Sequence, residues 1–97
     1  MAEKEVKDID SLIDQGLNDE SSELDLREKE LDDEDLIKVL ESDKIKGITA
    51  LFLEFNEIGD EGVMALAACE KMKFLTALNL FKNSATDKGV KALAESK

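Results

Sequence analysis

The sequence contains no histidine, tryptophan, tyrosine or proline, and it has one cysteine. Without histidine, the chain lacks the commonest general base and the commonest metal-binding side chain. The single Cys69 excludes an internal disulfide and a zinc site of four thiolates, and it fits a reducing compartment. Because proline is absent, turns must depend on Gly, Asn, Asp and Ser. These absences remove the recognisable parts of a nucleophilic or metal-dependent enzyme, so no catalytic activity is expected.

Long apolar runs are also missing. No stretch approaches the roughly 20 apolar residues of a membrane span, and residues 1–8 contain no apolar segment of signal-peptide length. Any export would therefore need another route.

The charge is strongly one-sided, with 13 basic and 24 acidic residues and a net charge of −11. Such a chain repels phosphate backbones and anionic lipid, so neither nucleic acid nor a membrane is expected as a partner. Two interpretations of the acidity remain open: a basic protein partner, or solubility alone.

The chain repeats itself at an offset of 27 residues. The positions that agree are Leu24, Leu51 and Leu78; Leu26, Leu53 and Leu80; Asp33, Asp60 and Asp87; Asn56 and Asn83; and Gly62 and Gly89. Three copies are predicted, at residues 21–47, 48–74 and 75–97. The first copy departs from the pattern, since it has Ser21 at an apolar position and Lys29 in place of the asparagine.

Each copy combines a strand with a helix. Residues 50–54 alternate with period two, so that Leu51 and Leu53 share one face. Asn56 follows, and its amide can satisfy backbone groups at a bend. Acidic residues then begin a helix, where they suit the positive end of the dipole. Val63, Leu66 and Ala67 form its inward stripe, repeated as Leu36, Val39 and Leu40 and as Val90, Leu93 and Ala94.

An N-terminal helix over residues 3–17 is predicted from one apolar stripe that contains Val6, Ile9, Ile13 and Leu17. Gly16 and Asn18 are plausible terminators. Because a terminal repeat would otherwise expose its core, residues 1–20 are expected to cap the first repeat.

The order Ile48-x-x-Leu51-x-Leu53-x-x-Asn56, repeated as Leu75-x-x-Leu78-x-Leu80-x-x-Asn83, resembles the leucine-rich repeat family. The 27-residue length with a helical second half is similar to its ribonuclease-inhibitor-like subclass. The resemblance implies an α/β solenoid with parallel strands inside the curve, helices outside and an N-terminal capping helix. It also implies non-catalytic binding of a protein partner through the concave sheet face, with no cofactor and no metal, and a cytoplasmic location.

A structural role remains the alternative. The chain would then be a module of a longer repeat array, or would associate with itself through an open C-terminal edge, so that a monomer and weak self-association are both compatible with the sequence. The third copy has Ser84, Ala85 and Thr86 where the second has Glu57, Ile58 and Gly59, as a final capping repeat or a truncated array would.

The repeat register places the candidate partner-binding residues on the exposed sheet face. They are Asp25, Arg27, Phe52, Glu54, Asn79 and Phe81, with Phe55 and Lys82 beside them. Ala50 is expected on the same face, and Phe74 is the one phenylalanine at an interior register. Exposed aromatic side chains surrounded by charged residues are typical of a recognition patch. The alternative is that a small domain simply leaves some apolar surface exposed.

The acidic run Asp32-Asp33-Glu34-Asp35 lacks the glycine and the alternation of a calcium loop. We interpret it, together with Glu57, Asp60 and Glu61, as residues at or near helix starts. Gly62 and Gly89 match no phosphate-binding loop. They are expected where the helix packs close to the strand behind it.

Overall fold

The computed structural model describes residues 8–86, which form an α/β unit with a three-stranded parallel sheet. In chain order the elements are α1 (Ile9–Gly16), β1 (Glu23–Asp25), α2 (Asp33–Leu40), a 3₁₀ turn (Asp43–Ile45), β2 (Ala50–Phe52), α3 (Asp60–Ala67), a second 3₁₀ turn (Glu70–Met72) and β3 (Ala77–Asn79). Within this range no helix has both the length and the apolarity needed to cross a bilayer. The predictions for Val6, Asp87, Gly89, Val90, Leu93 and Ala94 lie outside the described residues.

The strand register confirms the 27-residue offset. The strands lie side by side in the order β1, β2, β3, with Leu24 opposite Leu51 and Leu51 opposite Leu78. The leucine side of the first two strands is fully buried, in one cluster with the inward residues of α2 and α3. On the third strand Leu78 and Leu80 are only half-buried. The core is therefore complete behind β1 and β2 and thinner behind β3.

The acidic run begins a helix, as predicted. The Asp32 carboxylate accepts a hydrogen bond from the Asp35 amide at 3.0 Å, and the Asp35 carboxylate accepts one from the Asp32 amide at 3.1 Å. This reciprocal arrangement is a capping box, which satisfies amides that the first helical turn leaves without partners. The hydrogen bonding of the helix start therefore accounts for the clustered acids of this segment.

Gly62 makes a close approach, but not to the strand, so that part of the prediction is wrong. A Cβ atom at Gly62 would lie 2.6 Å from Oδ1 of Asp33 and 3.3 Å from Cδ2 of Leu36, both in α2. The same Asp33 oxygen accepts a hydrogen bond from the Gly59 amide at 2.6 Å. One repeat further, Asp60 accepts one from the Thr86 amide at 2.7 Å. Each aspartate thus accepts a hydrogen bond from a backbone amide of the next repeat. The missing side chain at Gly62 leaves room for the Asp33 carboxylate.

Asn56 forms the predicted corner and also joins two repeats. Its Oδ1 accepts hydrogen bonds from the amides of Lys29 and Leu31 at 3.1 and 3.0 Å. Its Nδ2 donates to the carbonyls of Leu26 and Leu53, both at 2.9 Å. Each asparagine thus also forms hydrogen bonds with backbone groups of the preceding repeat. The backbone groups at the corner of the first repeat are therefore bonded by the side chain of Asn56. This explains why Lys29 can replace asparagine in the first copy.

The N-terminal helix lies against the first repeat. Ile13 is fully buried in the common core, and Leu17 forms an isolated antiparallel bridge with Leu24. α1 ends at Gly16, where an added Cβ would collide with the Asp25 carbonyl, so this glycine permits close contact with β1. Asn18 acts after the helix, since its Oδ1 accepts hydrogen bonds from the Ser22 and Glu23 amides.

Lys44 forms ion pairs with two aspartates of α1. The Nζ atom of Lys44 lies 2.8 Å from Asp14 and 3.1 Å from Asp10, and the hydrogen bond to Asp14 is the main reason that the pKa of Lys44 is raised. At the same repeat position, Lys71 donates to the carbonyls of Leu40 and Ser42 at the end of α2. These pairs help position each repeat against the element before it.

Candidate partner-binding surface

The sheet face opposite the buried leucines is called the open sheet face here. It carries three columns across the strands: Glu23, Ala50 and Ala77; Asp25, Phe52 and Asn79; and Arg27, Glu54 and Phe81. The register thus places these side chains side by side, as expected. Ala50 is the exception in exposure, since only 7% of it is accessible. It lies on the central strand with a neighbour on each side, and its methyl group is too short to project beyond them.

Asp25 and Arg27 form a closed ion pair at one end of this face. The guanidinium donates from Nε at 2.9 Å and from Nη2 at 2.7 Å to the two carboxylate oxygens. These hydrogen bonds lower the pKa of Asp25 and raise that of Arg27. Both side chains remain partly accessible, but their charges largely cancel.

Asp25 and Asn79 also shape the backbone. Oδ1 of Asp25 accepts a hydrogen bond from the Arg27 amide at 3.1 Å, and Oδ1 of Asn79 accepts one from the Phe81 amide at 3.0 Å. A side chain that bonds the backbone two residues on is typical of an Asx turn. At the equivalent position of the second repeat, Phe52 has no such acceptor. Two of the predicted binding residues therefore have a structural role.

Phe55 and Phe81 form an exposed aromatic pair that the sequence register did not indicate. Their ring centroids are 5.8 Å apart, with the planes at 88°, which is an edge-to-face contact. Phe55 is 51% accessible and Phe81 is 59% accessible. The Lys82 ammonium lies 5.5 Å from the centre of the Phe81 ring. Phe52, on the neighbouring column, is half-buried.

The residue before the asparagine position has the same unusual backbone in every repeat. Glu28, Phe55 and Lys82 have φ angles of 56°, 59° and 60°. This left-handed region is unfavourable for side chains other than glycine, and most of all for bulky ones. None of the three residues is glycine, so no residue preference predicted this conformation. All three side chains are exposed at the end of the strands.

Glu54 lies between the ion pair and the aromatic pair. Its Oε1 is shielded from solvent, and among the described residues it has no hydrogen-bond partner. The Glu54 charge also contributes to the raised pKa of Arg27, after the contributions of Asp25. A shielded carboxylate oxygen without a donor is uncommon in folded proteins. Glu54 can therefore accept a hydrogen bond from a group outside this part of the chain.

Phe74 corrects the sequence prediction, since 57% of it is accessible although its register was interior. It lies in the turn after the second 3₁₀ segment, at the repeat position that Gly47 occupies in the first copy. The Lys73 ammonium lies 5.4 Å from the ring centre. The ring is therefore exposed and not part of the interior, which corrects the register assigned to it.

Acidic residues and Cys69 are the remaining candidates for a metal-binding or catalytic site. Within residues 8–86 no three acidic or cysteine side chains cluster closely enough to hold a metal ion. Cys69 is half-buried, with its Sγ 4.0 Å from the Leu40 carbonyl oxygen. It borders an open depression of about 660 Å³ whose other described lining includes Leu66, Met72, Leu75 and Leu78. With no histidine in the chain, this thiol has no imidazole to activate it.

Comparison with known proteins gives one family. Residues 48–67 and 71–94 match the family model described as Leucine Rich repeat. None of the curated proteins compared with the chain matches it. The two matched segments correspond to the second and third predicted copies, whereas the first copy lies outside them.

Proposed function

We propose, from the leucine-rich repeat family that the two matched segments support, that this chain is a non-catalytic protein-binding module. Leucine-rich repeats generally mediate protein–protein interaction, and their domains are typically not enzymes. The module would be of the ribonuclease-inhibitor-like subclass, cytoplasmic, and capped at its N-terminus by residues 1–20. Residues 21–97 would provide three repeats, and the open sheet face would be the concave side that receives the partner.

The exposed pair of Phe55 and Phe81 is the observation that carries this proposal. Two neighbouring aromatic rings, each more than half accessible, lie beside the half-buried Phe52. Aromatic side chains that become buried on binding are the usual anchors of protein interfaces. Phe55 also holds a left-handed backbone that glycine would adopt more easily. Folding alone does not favour phenylalanine there, whereas recognition of a partner does.

Affinity capture followed by mass spectrometry tests the proposal with two matched double variants. Phe55→Ala/Phe81→Ala removes the aromatic pair, and Ile37→Ala/Met64→Ala removes two exposed apolar side chains from the helices. Partners captured by the parent chain should be lost from the phenylalanine variant and kept by the helix variant. A photo-crosslinking amino acid at Asn79 should then label the same partner. Equal capture by both variants would refute binding through the open sheet face.

A second candidate, structural stacking through the edge of β3, is supported by the backbone. In the inner strands the Leu26 amide donates to Phe52, and the Leu53 amide donates to Asn79. The equivalent Leu80 amide has no partner among the described residues, and neither has the Lys82 amide, which is equivalent to Phe55. Leu78 and Leu80 are also less buried than their counterparts. A further parallel strand would satisfy both amides.

Light scattering and amide hydrogen exchange distinguish this second candidate. If the edge is free to associate, the scattering mass should rise with concentration, and the Leu80 amide should become protected as it does. A constant monomer mass up to millimolar concentration, with a fast-exchanging Leu80 amide throughout, would exclude self-stacking through β3.

A further inference from the structure

We infer that the partner is an extended protein segment with a basic residue at one end, an apolar residue in the middle and an acidic residue at the other end. This inference depends on the proposed function and specifies the chemistry of the ligand. Its basis is the line of three left-handed residues Glu28, Phe55 and Lys82, called the rim line here. It runs from acid through aromatic to base across the three strands.

The rim line has one geometry in each repeat. The Glu28 amide donates to the Glu54 carbonyl at 3.0 Å, and the Phe55 amide donates to the Phe81 carbonyl at 2.9 Å. The three residues therefore lie in register on neighbouring strands and share one backbone conformation. Since neighbouring strands are about 4.8 Å apart, Glu28 and Lys82 are about 10 Å apart. A segment that crosses the strands meets the three side chains in order.

The charges at the two ends of the rim line are available. Neither Glu28 nor Lys82 forms an ion pair with any other residue in the described part of the chain. Two cations are adjacent to Glu28 in sequence: Arg27 is paired with Asp25, and Lys29 forms no ion pair within the described residues. Glu54, with its unbonded Oε1, adds a second acceptor toward the acidic end. At the other end the Lys82 ammonium remains over the exposed Phe81 ring.

The charge of the whole sequence changes in the same direction, from acidic in the first part of the chain to basic in the last. Residues 1–43 contain 17 acidic and five basic residues, whereas residues 71–97 contain two acidic and six basic residues. The net charge of −11 therefore conceals a gradient along the repeats. A uniformly basic partner would be repelled at the third repeat. A segment with one charge of each sign is attracted at both ends, because it can lie in the chain direction that places its cation at Glu28 and its anion at Lys82.

The length of the segment follows from the rim line. Every second side chain of an extended chain faces the same way, so the three contacting residues fall at positions i, i+2 and i+4. At about 3.3 Å per residue these span about 13 Å, close to the distance between Glu28 and Lys82. The apolar side chain between them would contact the aromatic pair, where it buries the exposed rings. Nucleic acid does not fit, since it offers no cation for Glu28 and its phosphates meet the acidic first repeat.

A random heptapeptide display library, selected on the full chain, tests the inference. Phe55→Ala/Phe81→Ala serves for counter-selection. The enriched peptides should carry Lys or Arg and Asp or Glu about four positions apart, with an apolar residue between them. Synthetic peptides of that pattern should then bind roughly fivefold more tightly than peptides in which the basic residue is replaced by Glu, the scale of an exposed charge pair that changes from attraction to repulsion.

The decisive variant is the single change Glu28→Lys, which makes both ends of the rim line basic. Lysine already occupies this left-handed position in the parent chain at Lys82. Selection on this variant should give peptides with an acidic residue at both ends, and the fivefold preference should reverse in favour of those peptides.

Three outcomes are possible, and each is decisive. A change from one charge of each sign to two acidic charges supports the inference. Peptides that depend on the phenylalanines but carry the same charges, or no charges, on both chains would refute it and leave binding at the open sheet face intact. If no enriched peptide depends on the phenylalanines, both this inference and the proposed binding face are wrong.

Discussion

Replacing Asn56 by alanine should destabilise the chain more than any change on its open face. The side chain is buried and bonds four backbone groups in two repeats at 2.9–3.1 Å. The Leu53 carbonyl would keep a second donor, Nδ2 of Asn83 at 2.7 Å, and the exposed Lys29 amide could bond to water. The amide of Leu31 and the carbonyl of Leu26 would remain buried without a partner.

Each buried polar group without a partner costs about 1–3 kcal/mol. Two such groups imply that Asn56→Ala lowers the free energy of unfolding by about 3 kcal/mol. A chain of this length has a total of about 5–15 kcal/mol, so the variant should still fold. Because the protein contains no Trp or Tyr, circular dichroism is the appropriate signal for urea titration. With an m-value of about 1.5 kcal/mol/M, the midpoint should fall by about 2 M.

Asn83→Ala is the matched control, because it occupies the same corner one repeat later. Its amide bonds the amide of Ile58 and the carbonyls of Leu53 and Leu80. Leu53 retains its bond to Asn56, and Leu80 is half-buried and thus closer to water. The expected loss is therefore only about 1 kcal/mol.

Asn56→Asp should be at least as damaging as alanine at neutral pH, since it places a carboxylate oxygen against the carbonyls that Nδ2 now bonds. Equal midpoint shifts for the two alanine variants, or a loss below 1 kcal/mol for Asn56→Ala, would refute the role assigned to this bridge.

Three further predictions concern local geometry. Gly62→Ala should cost about 1–3 kcal/mol, measured by urea titration, because the new methyl group would overlap the Asp33 carboxylate; an unchanged midpoint would show that this contact is not tight. Phe55→Gly should be about 1 kcal/mol more stable than Phe55→Ala, since both lose the ring but only glycine adopts the left-handed backbone freely; equal melting temperatures would contradict the strain. Arg27→Gln should raise the pKa of Asp25 toward its ordinary value in a carboxyl NMR titration. The parent pair stabilises the fold above about pH 4, the unfolded pKa of aspartate, and this contribution is lost as the pH falls through the lower folded value. An Asp25 titration unaffected by the substitution would rule out this linkage.

Period and register could be predicted from the sequence because they depend on hydrophobic alternation. Leu51 and Leu53 must share a face in a strand, and Leu24 and Leu78 repeat the pattern at the same offset. The corner role of Asn56 was also predictable, since its amide can donate and accept. Its bonds to the preceding repeat were not, because they depend on how two copies stack. The capping role of residues 1–20 remains a prediction.

The candidate site was predictable only in part. Repeat register assigned Phe52 and Phe81 to one face, but it put Phe55 in a different column from Phe81. Phe55 makes this contact from a left-handed backbone, and the contact joins two repeats. No residue preference indicated this conformation. Alignment at a fixed period also misplaced Phe74, because the turn differs between copies: Lys46 is extended with ψ 129°, whereas Lys73 is helical with ψ −19°.

The sequence by itself determined that the chain contains repeated strand and helix units, because alternation, helical spacing and acidic helix starts are local properties of neighbouring residues. Only the tertiary structure decided which groups meet between repeats. Asp33 reaches Gly59, Asn56 reaches Leu26, and Phe55 meets Phe81 because parallel stacking brings residues about 27 positions apart into contact. The aromatic pair of the candidate binding surface belongs to this second class, since it joins two repeats.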